Sequence, residues 1–559
     1  MRSPNIYLTE FNQVALQAFS MWNREPASPS FGSCDRAYWG WKKKDFSDAT
    51  LQYAVKLAVE YAHVTGRTST LPSLLEGYVD WCERIQLKDG SFDQCYPNEK
   101  TPGVIYDILS TLIYVRKSPY LVSANAQKSL DRIMERAIAF ALNADEHHGE
   151  IANHIAEYAY ELLYYAAHTG DDRASCKGKT YLERLLSLLE PTEGWFQEYQ
   201  GPDPGYQSRT LRYLLKCAEL LDEPELWRIV EQAADFVAQV LMPDGAIHPM
   251  LGTRSTALLY PSPFEILAAR NEAYKGLAAR VRNAWFHKLV PLPSWLDFDN
   301  AIRLADDALD AARVLNSQET TPSSENQDTH LTSVEFPKAG ISIFRSPQRC
   351  VYIGYRLGGV VVVYQKDWEG CWQLVYEDSG YLLCDGLSRQ AWLTRMPDSG
   401  ELVESSKQRL LIRASFYRSL HDELTPGRFI MLRLLNMTVL RHEWIAELFR
   451  KVVVRHLMTG KEKIPVTLYR EIVLEDKRML VSDRIVNDRS PIAQNQGSKL
   501  YRCRRLIGTH MATSRYFQQQ ELEALPLDWM QEVPWLGRLE ILNSIEVASS
   551  TVELAEGKL

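Results

Sequence analysis

The stretch NSQETTPSSENQDTHLTS, from Asn316 to Ser333, separates two halves of the sequence that differ in the spacing of their apolar residues. It is polar, rich in serine and threonine and nearly free of apolar side chains, which is typical of a linker. Apolar residues recur at helical spacing before it and at a period near two after it. This pattern predicts a helical domain over residues 1–315, a linker over 316–333 and a β-domain over 334–559.

The first half combines amphipathic helices with a weak repeat. Segments such as LQYAVKLAVEYAHV (51–64) and LDRIMERAIAFAL (130–142) carry an apolar stripe with good helix formers between its members. A pattern of polar residue, glycine, any residue and apolar residue recurs with glycines at 90, 149, 194 and 245. Steps of about 50 residues fit one antiparallel helix pair with two loops. Such pairs stack into a solenoid or close into a ring, whose glycine turns would surround one mouth.

Short runs rich in β-branched and aromatic residues follow the linker, with turn signals between them. Eight of them are predicted strands: ISIFRS, CVYIGYRL, GVVVVYQ, WQLVYED, RLLIRASFYR, KVVVRHLM, PVTLYREIVLE and RMLVSDRIV. Because helices do not alternate with these runs, we expect antiparallel sheets packed as a sandwich. The region 427–456 has a mixed pattern that is also compatible with a helix.

Composition bounds the classes of function. Apolar residues make up 45% and charged residues 24% of the chain, which is ordinary for a globular protein. The net charge of -8 argues against a general nucleic-acid or anionic-membrane binder and leaves an anionic substrate in a basic cleft open. We see no signal peptide and no apolar run of membrane-spanning length. The nine cysteines form no CxxC pair, so we expect reduced thiols and a cytoplasmic location.

The segment NHIAEYAYELLYYAAH (153–168) places polar residues beside an apolar helical stripe. Asn153 and Glu157 are four residues apart, and His154 and Glu157 are three apart, so their side chains project from neighbouring turns. They follow the glycine turn at 149 and would lie near the mouth of a ring. The alternative is a helix cap, a solvated glutamate and a histidine that is hydrogen-bonded at the helix start.

A second candidate lies in EGWFQEYQGPDPGYQSRTLRYLL (193–215), where aromatic residues including Trp195 crowd an irregular turn. Asp203 is a helix cap with Pro204 in the first position, which puts Tyr206 at the positive end of the helix dipole. Arg209 follows on the same helix. Either these aromatic residues pack a corner, or they line a cleft that binds a flat, ring-shaped ligand.

Two further segments hold weaker candidates. His248 and Arg254 stand in the loop DGAIHPMLGTRSTALLYPSPFE (244–265), and loops on a rigid scaffold often carry function. Arg36 and Trp39 belong to FGSCDRAYWGWKKKDF (31–46), whose aromatic residues are of the kind that stack on sugar rings. The alternatives are ordinary surface-loop residues in the first segment and a solvated lysine run in the second.

Together these segments resemble the heparinase II/III-like polysaccharide lyases, and more closely the branch associated with bacterial exopolysaccharide gene clusters. The resemblance spans most of the chain, and its family fold is an incomplete (α/α) toroid followed by an antiparallel β-sandwich, an α+β multidomain architecture. Its motifs are Phe31–Asp35–Arg36–Trp39–Trp41–Lys42–Asp45–Phe46, Asp89-Gly90-Ser91-Phe92-Asp93-Gln94, Asn153-His154-x-x-Glu157, Gly194-Trp195-Phe196 with Pro202-Asp203-Pro204-Gly205-Tyr206, and Gly252-x-Arg254-Ser255-Thr256.

The resemblance implies cleavage of a uronate-containing glycan by β-elimination, in which a base removes the C5 proton and an acid protonates the oxygen leaving C4. Asn153 would then bind the carboxylate, His154 would act as base or neutraliser, and Tyr206 would act as acid, alone or also as base. Glu157 would orient His154, and Arg254 would hold substrate charge. An anionic polysaccharide or oligosaccharide is the expected partner, and the remaining predicted substrate-binding residues are Trp195, Arg209, Arg36, Trp39 and His248.

One departure from the family keeps other functions open. The stretch LGGVVVVYQKDWEGCWQLVYEDSG (357–380) has no histidine, where many members carry a catalytic or metal-binding one. The histidines at 421, 442, 456 and 510 show no ligand spacing, so we predict no metal site and no cofactor. A uronosyl C5-epimerase, a non-catalytic glycan-binding protein and a scaffold protein remain alternatives to the lyase.

Overall fold

The structure is a computed structural model of the chain. It describes residues 5–44, 46–94, 102–145, 151–316, 332–386, 390–406, 408–419, 425–454, 462–475, 478–487, 499–504, 525–527 and 543–548. The first half of the chain is helical, and two short antiparallel strands precede its ninth helix. Its elements are α1 Ile6–Met21, α2 Arg36–Trp39, α3 Ala54–Val64, α4 Leu71–Ile85, α5 Pro102–Lys117, α6 Ala124–Asn143, α7 Ala152–Thr169, α8 Asp172–Ser187, β1 Leu189–Glu190, β2 Trp195–Phe196, α9 Pro204–Leu221, α10 Pro224–Val240, α11 Ser262–Arg270, α12 Lys275–Phe286 and α13 Phe298–Asn316.

Alternate helices of this half form an inner and an outer layer. α3, α5, α7, α9 and α11 contact one another in turn, and α4, α6 and α8 follow one another outside them. α13 packs against α11 and also against α1 and α3, so the chain returns to its first helices. The helices therefore form an incomplete (α/α) toroid. The described parts of the loops that lead from an outer to an inner helix belong to one end of this ring, which we call the mouth.

The glycine turns of the repeat lie in these mouth loops. Gly90 and Gly245 have φ angles of +92° and +89°. Residues with a Cβ atom disfavour such positive φ angles, whereas glycine adopts them readily. A Cβ atom on Gly90 would lie 2.1 Å from the carbonyl oxygen of Arg136 in α6, and one on Gly245 would lie 2.3 Å from that of Arg280 in α12. Each turn thus packs directly against the next outer helix and sets the spacing of the helix pairs. The corresponding Gly149 lies outside the described residues.

The second half consists of strands β3 Thr332–Phe336, β4 Ile341–Arg345, β5 Arg349–Gly354, β6 Val360–Lys366, β7 Trp372–Asp378, β8 Gly380–Cys384, β9 Ala391–Leu393, β10 Gly400–Ser405, β11 Arg409–Arg418, β12 Lys463–Leu474, β13 Arg478–Asn487, β14 Lys499–Cys503, β15 Leu525–Leu527 and β16 Asn543–Ala548. Strands β3 to β7 form an antiparallel meander in chain order. The others form a larger antiparallel sheet in the order β15-β14-β8-β9-β11-β12-β13-β16, with β10 beside β11.

The valine run of β6 shows how the layers stack. Val361 and Val363 share a buried cluster with Ile412 and Ile472 of the larger sheet, whereas Val360 and Val362 belong to the core of the helical ring. Because successive side chains of a strand point to opposite faces, this strand is buried on both sides. The meander is therefore the middle layer, and with the larger sheet it forms an antiparallel β-sandwich. The α+β architecture predicted from the change of period is confirmed.

Two helices, α14 Pro426–Met437 and α15 Glu443–Val454, lie between β11 and β12. The prediction of a strand at KVVVRHLM was wrong for its first four residues, which end α15; the other four lie outside the described residues. The β-branched residues there continue an apolar stripe that begins at Trp444 and has a helical spacing, which outweighs their preference for strands. No helix in the described ranges is long and apolar enough to cross a bilayer.

Glu161, in the middle of α7, makes stability depend on pH. Its side chain is buried inside the ring, and this burial, together with the charge of Glu157, raises the pKa of Glu161 from 4.5 to about 8. The folded protein therefore holds a proton at neutral pH that the unfolded chain releases. By linkage, the stability from this proton is complete at low pH and is lost as the pH rises from 4.5 to about 8.

The Glu161→Gln variant keeps the shape of the protonated carboxyl group and removes its titration. We expect an unchanged free energy of unfolding at about pH 5 and an increase on the order of 2 kcal/mol at about pH 9, measured by urea denaturation. Glu135→Gln, at an exposed position of α6, is the control and should change neither value. The same pH dependence in the Glu161→Gln variant and the parent protein would contradict this assignment.

Candidate active site

Asn153 lies in the first turn of α7, at the mouth of the ring, and is fully buried. Its backbone N–H and its side-chain Nδ2 both donate to Oε1 of Glu198, at 2.9 and 2.7 Å. Glu198 is also buried and lies in the loop that leads to α9. The Oδ1 atom of Asn153 has no hydrogen-bond partner in the described part of the chain. Glu198 therefore fixes the orientation of this amide.

Arg254 connects Glu198 to Tyr206. Its Nη1 atom lies 3.2 Å from Oε2 of Glu198, and its guanidinium carbon lies 3.9 Å from the centre of the Tyr206 ring. Stacking of a guanidinium on a phenol ring combines dispersion with cation–π attraction. Three residues that were predicted from separate segments, Asn153, Tyr206 and Arg254, thus lie in one connected cluster with Glu198. We call these four residues the mouth cluster.

Asp203 holds two of the mouth loops together. Its Oδ1 atom accepts from the backbone N–H of Tyr206 at 3.1 Å, so it caps α9 as the sequence predicts. Its Oδ2 atom accepts from the backbone N–H groups of Arg254 and Thr256, at 2.9 and 3.3 Å. Burial raises the pKa of Asp203 to about 6, although these hydrogen bonds oppose the shift. One carboxyl group therefore positions both the tyrosine and the arginine.

Glu157 and Arg209 form an ion pair beside the mouth cluster. Oε2 of Glu157 accepts from Nη2 of Arg209 at 2.7 Å, and Oε1 accepts from the hydroxyl of Tyr213 at 3.0 Å. Burial disfavours the charge of Glu157, but the guanidinium groups of Arg209 and Arg303 and the hydrogen bond from Tyr213 together outweigh it and lower the pKa of Glu157. His154 is partly exposed, and its ring centre is 6.2 Å from that of Tyr158. The helix thus carries a fixed ion pair one turn from the histidine.

Trp195, Arg36 and Trp39 make their contacts away from the mouth cluster. Trp195 is buried in the core, and its Nε1 donates to Glu193 at 2.7 Å. Trp39 donates through Nε1 to a backbone carbonyl at the end of α1 at 2.9 Å. Arg36 is exposed and lies over the ring of Trp41. The aromatic turn is therefore a packed corner at Trp195, and only its later part reaches the cluster.

His248 lies next to a cleft between the ring and the meander. It is 4% exposed, and its Nε2 is 3.0 Å from Oε2 of Glu377 on β7. The cleft has a volume of about 850 Å³ and is also lined by Trp295 and Trp372. Ala257 lines it as well, so the loop that carries Arg254 to the mouth cluster continues into the wall of this cleft.

Glu198 is the member of the mouth cluster that the sequence analysis missed. The sequence around a single glutamate in an aromatic loop does not show whether its carboxylate is solvated or buried. Only the contacts with Asn153 and Arg254 identify Glu198 as part of the site. Within the described ranges, no group of three histidine, cysteine, aspartate or glutamate side chains is arranged to hold a metal ion. The cluster instead offers an amide, a guanidinium and a phenol, which are groups suited to binding an anion and transferring a proton.

No family model and no curated protein matches this sequence. Among solved structures it is similar to the heparan sulfate lyase HepC from Pedobacter heparinus, at 10% identity over 86% of this chain and 69% of that chain, with a TM-score of 0.41. A variant of a chondroitin AC lyase from Streptomyces coelicolor matches at 9% identity over 90% and 68% of the two chains, with a TM-score of 0.48. The cellulase Cel9M of C. cellulolyticium matches at 10% identity over 49% and 77%, with a TM-score of 0.33. At these identities and scores the similarity concerns the path of the chain. The chemistry of this protein has to be argued from its own residues.

Proposed function

We propose that the chain is a polysaccharide lyase that cleaves a uronate-containing glycan by β-elimination. The observation that supports this is the mouth cluster, in which the Asn153 amide and the Tyr206 phenol are linked through Glu198 and Arg254. Three loops separated by about 50 residues each contribute to it. A purely structural corner would not need an amide, a guanidinium and a phenol at one buried point.

The amide and the guanidinium suit the carboxylate of a uronate. Negative charge builds on that carboxylate when the C5 proton leaves, and oriented donors stabilise it most in the transition state. The Nδ2 atom of Asn153 has two hydrogens, of which the bond to Glu198 uses one. Arg254 and Tyr206 are 8% and 7% exposed, whereas Asn153 is fully buried. A substrate would therefore meet the arginine and the tyrosine first and the amide last.

The phenol of Tyr206 suits the proton transfers. In the simplest scheme its oxygen starts as the phenolate and takes the C5 proton, the bond from C4 to the glycosidic oxygen breaks, and a C4–C5 double bond forms. The phenol made in this step then gives the same proton to the leaving oxygen, so the phenolate is restored. His154 would take the place of base or neutraliser, since it follows Asn153 directly in the first turn of α7. No step of this scheme requires a histidine from the sheet domain.

A direct assay tests the proposal. The full chain is incubated with a panel of uronate polysaccharides, sulfated and unsulfated, and unsaturated ends are followed by their ultraviolet absorbance. We expect an increase in absorbance with at least one member of the panel and none with neutral glycans. The same reactions run in deuterium oxide identify the alternative. Deuterium at C5 in uncleaved polymer would select the epimerase, and neither product nor exchange across the panel would contradict both.

A further inference from the structure

The helices between β11 and β12 expose apolar side chains to an unusual degree. None of the residues of α14 is buried. Five of its large apolar side chains are half exposed or more, with values of 52% for Phe429, 60% for Ile430, 57% for Met431, 58% for Leu434 and 50% for Met437, whereas Leu432 and Leu435 are half-buried. A surface helix normally turns such residues towards the core. Here the apolar side chains face the solvent.

α15 repeats the same arrangement. Trp444, Leu448 and Val452 lie at i, i+4 and i+8, and they are 70%, 56% and 48% exposed. The two helices meet through the 3-10 turn Val439–Arg441 between them, where Leu440 is buried. Their exposed apolar side chains define what we call the hairpin surface. Large apolar side chains that are exposed on two successive helices mark an interaction site in a folded protein.

The hairpin lies between two paired strands in the chain. β11 and β12 are neighbouring strands, and where the hairpin leaves them the backbone N–H of Arg418 donates to the carbonyl of Glu462 at 2.8 Å. The side chains of the same two residues form an ion pair at 3.0 Å. The two strands that flank the hairpin in sequence are therefore paired up to Arg418 and Glu462.

The charge of the hairpin is opposite to that of the whole chain. Residues 425–454 contain five arginine or lysine residues and two glutamates, whereas the chain carries a net charge of -8. Arg428, Arg441 and Lys451 are exposed beside the apolar side chains. Basic residues next to exposed Trp, Phe, Leu and Ile are the composition of helices that lie in the plane of an anionic membrane interface.

We propose that the hairpin surface docks the protein on the surface of a bilayer that contains anionic lipids. The apolar side chains would enter the boundary between headgroups and acyl chains, and the basic residues would contact the headgroup phosphates. This surface contains none of the residues of the mouth cluster, so the proposal stands apart from the lyase. It also differs from the expectation drawn from net charge, because that expectation averages over the chain and this docking uses one locally basic segment.

Co-sedimentation of the full chain with lipid vesicles tests the proposal. Vesicles of phosphatidylcholine alone are compared with vesicles that also contain phosphatidylglycerol. We expect binding to increase at least about tenfold with the anionic lipid and to weaken when salt is raised, because salt screens the attraction of basic residues to headgroups. Equal binding to both vesicle types, or binding to neither, would overturn the assignment.

A matched pair of variants locates the binding surface. The triple variant Ile430→Ser, Leu434→Ser and Trp444→Ser removes three exposed apolar side chains, and we expect it to lower vesicle partitioning about tenfold or more. Trp368→Ser is the control, since this residue is 91% exposed in the turn between β6 and β7, and it should leave partitioning unchanged. Circular dichroism verifies that both variants fold.

The same variants distinguish a lipid surface from a second copy of the chain. Light scattering after size exclusion measures the mass of each protein without lipid. A parent protein that is dimeric, becomes monomeric in the triple variant and does not bind anionic vesicles would overturn the proposal in favour of self-association. Loss of vesicle binding in the triple variant at an unchanged mass is the result expected here.

Discussion

The Tyr206→Phe variant is expected to lower kcat for elimination by about a thousandfold and to leave KM within about threefold of the parent value. The substitution removes only the hydroxyl group, whose oxygen is proposed to accept and return the proton. The ring remains, and with it the stacking contact of Arg254 at 3.9 Å. Initial rates of unsaturated product formation measure the effect over a range of substrate concentrations.

Folding has to be unaffected for this result to report on chemistry. Tyr206 is capped through its backbone N–H by Asp203, and this bond does not involve the hydroxyl. We therefore expect a melting temperature within about 2 °C of the parent, as for other substitutions that preserve packing. Tyr199→Phe is the matched comparison, because Tyr199 lies 5.3 Å from the same guanidinium. Full activity in Tyr206→Phe together with its loss in Tyr199→Phe would move the proton transfer to the other tyrosine.

The architecture was predictable because it rests on local and periodic signals. The change of period around Asn316 to Ser333 separates the helices from the strands, and α13 and β3 end and begin at either side of it. The glycine repeat predicts helix pairs but leaves a solenoid and a ring open. Contacts between distant residues decide between them, such as those of α13 with α1. No single segment contains that information.

The candidate site also has features that the sequence could predict and features that it could not. The cap of Asp203 on α9 was readable because cap and helix are adjacent in sequence. The ion pair of Glu157 with Arg209 joins residues 52 positions apart, so spacing along either helix could not reveal it. The bonds of Glu198 to Asn153 are equally remote. The strand predicted from Lys451 onward was wrong although its residues are adjacent in sequence. Their local preference for strands was outweighed by the apolar stripe of α15.

Arg212→Met is expected to lower the free energy of unfolding by about 3–5 kcal/mol, because it removes the arginine that pairs with buried Asp307 and leaves Lys56 as the cation beside buried Asp306. Arg212 lies on α9 and is 2% exposed. Its Nη2 atom is 2.5 Å from Asp306, and its Nε atom is 3.1 Å from Asp307, both on α13. Its Nη1 atom also donates to the carbonyl of Arg303 at 3.1 Å. One side chain therefore joins the two helices across the interior of the ring.

The decrease in the free energy of unfolding caused by Arg212→Met should be larger at high pH than at low pH. Burial raises the pKa of Asp307 to about 6 even though Arg212 opposes the shift, and removal of the arginine would raise it further. A carboxyl group with a raised pKa is protonated in the folded state at low pH, so its burial is then less unfavourable. By linkage, stability is lost as the pH rises from 3.8 towards the folded pKa, so a higher folded pKa in the variant extends this loss to higher pH. Urea denaturation at about pH 5 and about pH 8 measures this difference.

Arg313→Met provides the comparison that separates burial from charge. Arg313 also pairs with a carboxylate, Glu60 at 3.0 Å, but its side chain is 54% exposed. Its loss should cost less than about 1 kcal/mol, because solvent compensates for an exposed ion pair. Should Arg212→Met prove too unstable to purify, Arg212→Met with Asp307→Asn removes charge from both helices and is expected to recover part of the loss. Equal small effects in Arg212→Met and Arg313→Met would show that the ring is held by its apolar contacts and that the charged interior contributes little to its stability.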